Sequence, residues 1–259
     1  MKHISNANQL NGITGFGKSL KTTIQEILTT KDLRKLQHLK NNPRSSAITH
    51  LSNIWGIGEK TAETLYNQGF QTIQDIRQRG THLLNRQQLI GMRYYEEFLM
   101  RIPRDEVEVI SSIVEDEMKR IDPDADCTTC GSFRRGKADC GDVDILITPS
   151  DSAVADSLPA NTLSRLLLAL ERRGFLTDHL SLPSGHQEYK SAHRLYFGSR
   201  GSYMGVCVIP GEGAIHRRID IKVYPRTQRA FALFYFTGSD SFNRGVRFYA
   251  SKYGFALDD

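Results

Sequence analysis

The sequence lacks any apolar run approaching the roughly 20 residues that span a bilayer, and Met1 to Leu10 is polar, without the apolar centre of a secretory signal. Neither a membrane span nor a secretory route is expected. Cysteine is scarce: four in 259 residues are too few to staple a chain of this length, and Cys127-x-x-Cys130 has no second pair at zinc-ligand spacing. All four read as reduced thiols, with Cys127 and Cys130 alternating into a strand; a redox or metal role for that pair is the alternative. A strong excess of one charge is missing as well. The net charge of +5 and pI near 9.0 fit a polyanion partner without requiring one. What is present, 39% hydrophobic and 24% charged residues, describes a soluble globular protein. Its length allows one large domain or two to four small ones.

The chemistry concentrates between Gly131 and Ile147, which reads as turn, short helix, then strand. Side chains alternate across a strand, so Asp142 and Asp144 project from one face while Val143 and Ile145 pack on the other. Carboxylates held that close repel unless a divalent cation lies between them, and oxygen ligands suit Mg2+ or Mn2+. Asp-x-Asp alone also fits a solvated strand end. Gly131-Ser132 upstream favours the site, because a glycine turn entering a helix presents N–H groups and a hydroxyl to phosphate oxygens, with Arg134 and Arg135 beside them. Farther on, Gly205 to Ile209 and Arg218 to Tyr224 read as strands, the second closed by Pro225. In it Asp220 faces away from the side packed by Ile219 and Ile221. Paired beside Asp142 and Asp144, it would complete a carboxylate triad; otherwise it is an edge-strand charge.

Earlier in the chain, Asn11-Gly12-Ile13-Thr14-Gly15-Phe16-Gly17-Lys18 precedes a helical pattern with Leu20, Ile24, Ile27 and Leu28 on one face. Asn53-Ile54-Trp55-Gly56-Ile57-Gly58-Glu59-Lys60 repeats the form ahead of Ala62, Leu65 and Tyr66, and that helix ends at Gly69. Each copy alone could be an ordinary helix connection. The repeat resembles the helix-hairpin-helix motif: Gly15, Gly17, Gly56 and Gly58 permit close backbone approach to a DNA phosphate, with Lys18 and Lys60 just after. Such contacts position a duplex without reading its sequence. Between the copies, Asn41 to Ser46 reads as a polar linker. Helical patterns run through Ile73 to Ile76, through Gln87 to Leu99, and again from Arg104 with Val109, Ile110, Ile113, Val114 and Met118 at helical spacing, which puts a boundary near Ile102. Leu163 to Arg173 forms an amphipathic helix stopped by Gly174. Leu176 to Tyr203, rich in Ser, Gly and His, is expected to be a long surface loop or ribbon.

Gly-Ser followed by Asp-x-Asp and a third strand Asp resembles the nucleotidyltransferase superfamily. The two helix-hairpin-helix copies, Arg101-Ile102-Pro103-Arg104, Gly131 to Asp144, His216 to Asp220 and Tyr235 to Arg244 narrow the resemblance to the family X DNA polymerases, over nearly the whole chain. The resemblance implies an α+β fold: a partial lyase-like subdomain over residues 1–42, fingers over 43–102, a palm on a mixed β-sheet over 103–225, and an incomplete thumb over 226–259. It implies that Asp142, Asp144 and Asp220 hold two Mg2+ ions for in-line phosphoryl transfer from a dNTP. Arg101, Ser132, Arg135 and Gly141 would hold the β and γ phosphates. Tyr235 and Phe236 would line the sugar pocket and exclude a 2′-hydroxyl, although as plain aromatics they fit a core equally well. Asp240 and Asn243 would stand near the incoming nucleotide, Arg244 and Arg247 near the template, and Arg218 near the primer phosphate or the triad. The implied partners are gapped or nicked double-stranded DNA and dNTP, in nuclear repair.

Two departures from the family pattern matter. The lysine that forms a Schiff base in lyase-active members is replaced by Thr23, with Lys18 and Lys21 out of register, so deoxyribose phosphate lyase activity is not expected. The chain also stops at Asp259, before the last subdomain is complete, so a non-catalytic DNA-binding scaffold is the rival reading. Template-independent addition is the other, and Tyr235-Phe236 disfavours it.

Overall fold

The computed structural model describes residues 3–183, 201–211 and 213–257, and divides into two compact units, Met1–Leu83 and Leu84–Asp259. The first unit is helical. A 3-10 turn at Ala7–Leu10 is followed by α1 (Lys18–Thr30), α2 (Arg34–Lys40), α3 (Pro43–Ser52), α4 (Glu59–Asn67) and the short α5 (Ile73–Asp75), which runs on through a π turn at Ile76–Gly80. Asn41 to Ser46 is not a linker: Pro43 opens α3, and the Asn42 carboxamide accepts hydrogen bonds from the Arg44 and Ser45 N–H groups. Proline at the first helical position loses no bond, and asparagine caps the free donors, so a polar breaker became a helix start. The core here is Leu51, Ile54, Ile57, Ala62, Leu65, Phe70 and Ile76. By contrast α1 buries no residue, and Leu20 and Ile27 of its apolar face remain exposed.

The second unit begins with α6 (Arg86–Arg93) and α7 (Tyr95–Leu99), then β1 (Ile102–Pro103), α8 (Arg104–Ile121), β2 (Ala125–Thr129), α9 (Gly131–Arg134), β3 (Asp139–Cys140) and β4 (Val143–Pro149). It continues with α10 (Thr162–Arg172), β5 (Leu176–Ser181), β6 (Gly201–Cys207), β7 (Arg217–Val223), α11 (Arg229–Thr237) and α12 (Asp240–Lys252). Five strands form one mixed sheet in the order β2-β4-β7-β6-β5, in which only β4 and β7 run parallel. The ends of the expected loop, Leu176 to Ser181 and Gly201 to Tyr203, are therefore paired strand; residues 184–200 lie outside the described residues.

One face of this sheet carries the main core. Val143, Ile145 and Ile147 of β4 and Ile219 and Ile221 of β7 pack with Val107, Ile110, Val114 and Met118 of α8 and with Leu163, Leu166, Leu167 and Leu170 of α10. Val109 is exposed rather than buried, because the inward stripe of α8 is set by Val107 at i, i+3, i+7 and i+11. On the opposite face a smaller cluster of Cys130, Leu146 and Ala232, flanked by Phe236, covers only part of the sheet under α11. The uncovered part of that face is where the carboxylates stand.

Candidate active site

Parallel pairing of β4 with β7 sets Asp144 directly opposite Asp220, with Val143 opposite Ile219. The apolar members of both strands point into the core, so alternation turns Asp144 and Asp220 to the open face, with Asp142 immediately ahead of β4 in the same phase. Arg218, two residues before Asp220, is on the same face and its guanidinium donates a hydrogen bond to Asp142.

The site is electrostatically loaded. Burial pushes Asp220 up to about 6; Arg218 opposes the shift and the Asp142 charge adds to it. Asp144 is also raised well above the carboxylate range, first by burial and then by the charges of Asp142 and Asp220. Asp220 Oδ1 is buried without a hydrogen-bond partner. A hard divalent cation answers both features, since it supplies positive charge and takes oxygen ligands. Among the described residues no three side chains stand at the spacing of a preformed metal cage; Asp142 is engaged by Arg218.

The glycine turn has a direct steric cause. Gly131 has φ of 54°, and a Cβ there would lie 1.8 Å from Asp144 Oδ2. Only glycine lets α9 start against the carboxylate. Arg104, at the start of α8, holds this turn by donating to the Phe133 carbonyl at 2.8 Å while its guanidinium sits 3.7 Å from the centre of the Phe133 ring.

A cleft of about 400 Å³ gathers most of the expected residues: the three carboxylates, Ser132 and Arg135 with Tyr235, Phe236, Asp240 and Asn243 from α11 and α12. Arg135 donates to the Thr237 carbonyl, and the Asn243 amide donates to the Tyr235 carbonyl at 2.9 Å. Arg101 and Gly141 are neighbours outside that lining: Arg101 pairs with Asp139 at 2.9 Å, and a Cβ on Gly141 would lie 3.0 Å from the guanidinium. Arg244 pairs with Asp240 at 2.9 Å, and Arg247 lies 5.0 Å from the Tyr235 ring centre. The sequence reading missed Ser202 and Met204 of β6 and Lys222 of β7, which also line the cleft. For Lys222 a signal existed, since it stands two residues beyond Asp220 on the same strand.

In the first unit, Gly17 and Gly58 are the N-caps of α1 and α4, while Gly15 and Gly56 have φ of 96° and 85°. Lys18 and Lys60 are exposed in the first turns of those helices. Cys127 and Cys130 are free thiols, each pushed up to about 12 chiefly by burial, which makes them poor nucleophiles and poor metal ligands.

Residues 101–226 match the model of the DNA polymerase beta palm, and residues 49–99 match that of the fingers domain of DNA polymerase lambda. Over 258 residues the sequence is 41% identical to DNA polymerase lambda of Rattus norvegicus, covering 100% of this chain and 42% of the rat protein. It is 33% identical to DNA polymerase lambda of Arabidopsis thaliana, covering 99% of this chain and 46% of the plant protein. Identity to DNA nucleotidylexotransferase of Xenopus laevis is 29%, covering 96% of this chain and 52% of the frog protein. The chain thus spans about half the length of the curated relatives it matches.

Proposed function

Because the chain belongs to the family X DNA polymerases, we propose that it adds a dNTP to a primer 3′-hydroxyl under template direction, filling short gaps during DNA repair. The observation that carries this reading is the register of Asp144 opposite Asp220, in a cleft lined also by Ser132, Tyr235 and Phe236. Asp142, Asp144 and Asp220 would hold two Mg2+ ions, which when bound lower the pKa of the attacking hydroxyl and neutralise the triphosphate.

The chain's own groups do the rest. Ser132 and Arg135 donate to phosphate oxygens, with Arg101 and the Gly141 backbone completing the cradle. Tyr235 and Phe236 bound the sugar, while Asp240 and Asn243 border the same space. Arg218 exchanges Asp142 for the primer phosphate. The two glycine hairpins, carrying Lys18 and Lys60, take hold of duplex phosphates as helix-hairpin-helix motifs.

The test is nucleotide incorporation on a duplex with a one-nucleotide gap. Mg2+-dependent extension is expected, with Asp220→Ala reducing it by about a thousandfold or more while gapped-duplex binding persists. Extension at the wild-type rate by that variant would sink the triad. Efficient extension of a single-stranded primer without template would overturn template direction.

A further inference from the structure

We propose that Lys222 is a positioning residue for sugar selection: its ammonium pins the Tyr235 and Phe236 rings that bound the nucleotide's ribose. Lysine in a strand ordinarily reads as a solvated charge, yet this side chain is only 8% exposed and lines the same cleft as the carboxylates. Alternation along β7 explains how it gets there. Ile219 and Ile221 enter the core, so Arg218, Asp220 and Lys222 share the opposite face. Lys222 is paired in register with Leu146 of β4, whose side chain belongs to the small cluster that Phe236 flanks.

From that position the ammonium lies 4.9 Å from the Tyr235 ring centre and 5.7 Å from that of Phe236. One cation therefore addresses two consecutive aromatic residues at the end of α11. Tyr235 is held further by Arg247 from α12 and through its carbonyl by Asn243. A cation attracts the face of a ring and not its edge, so the contact fixes orientation as well as distance. Any tilt that turns either ring's face from the ammonium weakens this contact, so Lys222 resists movement of the pair that bounds the sugar.

The inference rests on the polymerase reading, and the experiment separates the two. Wild type, Lys222→Met and Lys222→Arg are compared for kcat and KM with a dNTP and the matching rNTP on a one-nucleotide gap. In parallel, calorimetry with Ca2+ measures binding of the same two nucleotides without turnover. Methionine keeps the stem and removes the charge. With it, discrimination against the ribonucleotide is expected to fall about tenfold, mainly through a lower ribonucleotide KM, and arginine is expected to restore most of it. Lys222→Gln replaces the methionine variant if circular dichroism shows that variant unfolded. Unchanged discrimination in the uncharged variant, or a proportional loss with both nucleotides, overturns the role of Lys222 alone. A wild type that neither extends the gap nor binds either nucleotide removes the polymerase reading, and this inference with it.

Discussion

Asp220 illustrates how the site works against the stability of the fold. Its carboxyl is buried, its Oδ1 has no hydrogen-bond partner, and its pKa is pushed up to about 6 from an ordinary 3.8. A carboxyl whose folded pKa is raised binds its proton more tightly in the folded state. Its contribution is fully present below the unfolded value and is lost as pH rises through the folded one. In metal-free protein the loss should therefore run from about pH 4 to a little above pH 6 and amount to roughly 3 kcal/mol. Asp220→Asn is expected to match wild type near pH 3.5 and to melt several degrees higher at pH 8 in EDTA. Added Mg2+ should narrow the gap by stabilising wild type. Parallel melting of the two proteins across this range, followed by circular dichroism, would refute the assignment of burial as the cause.

At the scale of elements, β7, already paired with β4 and β6, is tied to α8 by an ion pair whose arginine is buried. Arg217, 3% exposed, donates to both carboxylate oxygens of Glu106 on α8 at 2.6 and 2.8 Å and to the Met100 carbonyl at 3.1 Å. Removing one partner strands the other charge, so Glu106→Ala should cost about 3–5 kcal/mol in urea unfolding, and Glu106→Leu with Arg217→Met should cost much less. An equal loss in the single and double variants would show that packing, not the unpaired charge, sets the cost.

Neither this pair nor the register of β7 is written in local sequence. Periodicity exposed α1, α4, α8, α10 and both aspartate strands, because alternation and helical spacing are local properties, but it did not expose α2, α3, α11 or α12. Pairing of Asp144 with Asp220 spans 76 residues, and the sequence could offer it only as a possibility. Lys222 was missed because a charged strand residue looks solvated until the neighbouring strands and α11 are in place. Asn42 and Pro43 carry signals used by linkers and helix starts alike, and only the helix-side hydrogen bonds decide between them.

For the whole molecule the proposed function turns on which of its cations would meet DNA. A net charge of +5 on 259 residues is too modest to bind a polyanion by its sum, so affinity must come from placement. Lys18 and Lys60 each follow a glycine N-cap, where free backbone N–H groups already favour an anion. If each neutralises one phosphate, the pair releases about two counterions. The slope of log affinity against log salt should then become shallower by about 1.8 in the double variant Lys18→Ala, Lys60→Ala. Phosphates carry no sequence information, so the loss should be the same on gapped duplexes of different sequence. Fluorescence anisotropy over a series of KCl concentrations measures both quantities. An unchanged slope would move the proposed DNA contact off the two glycine turns and onto the arginines of the second unit, where Arg244→Ala provides the matching comparison.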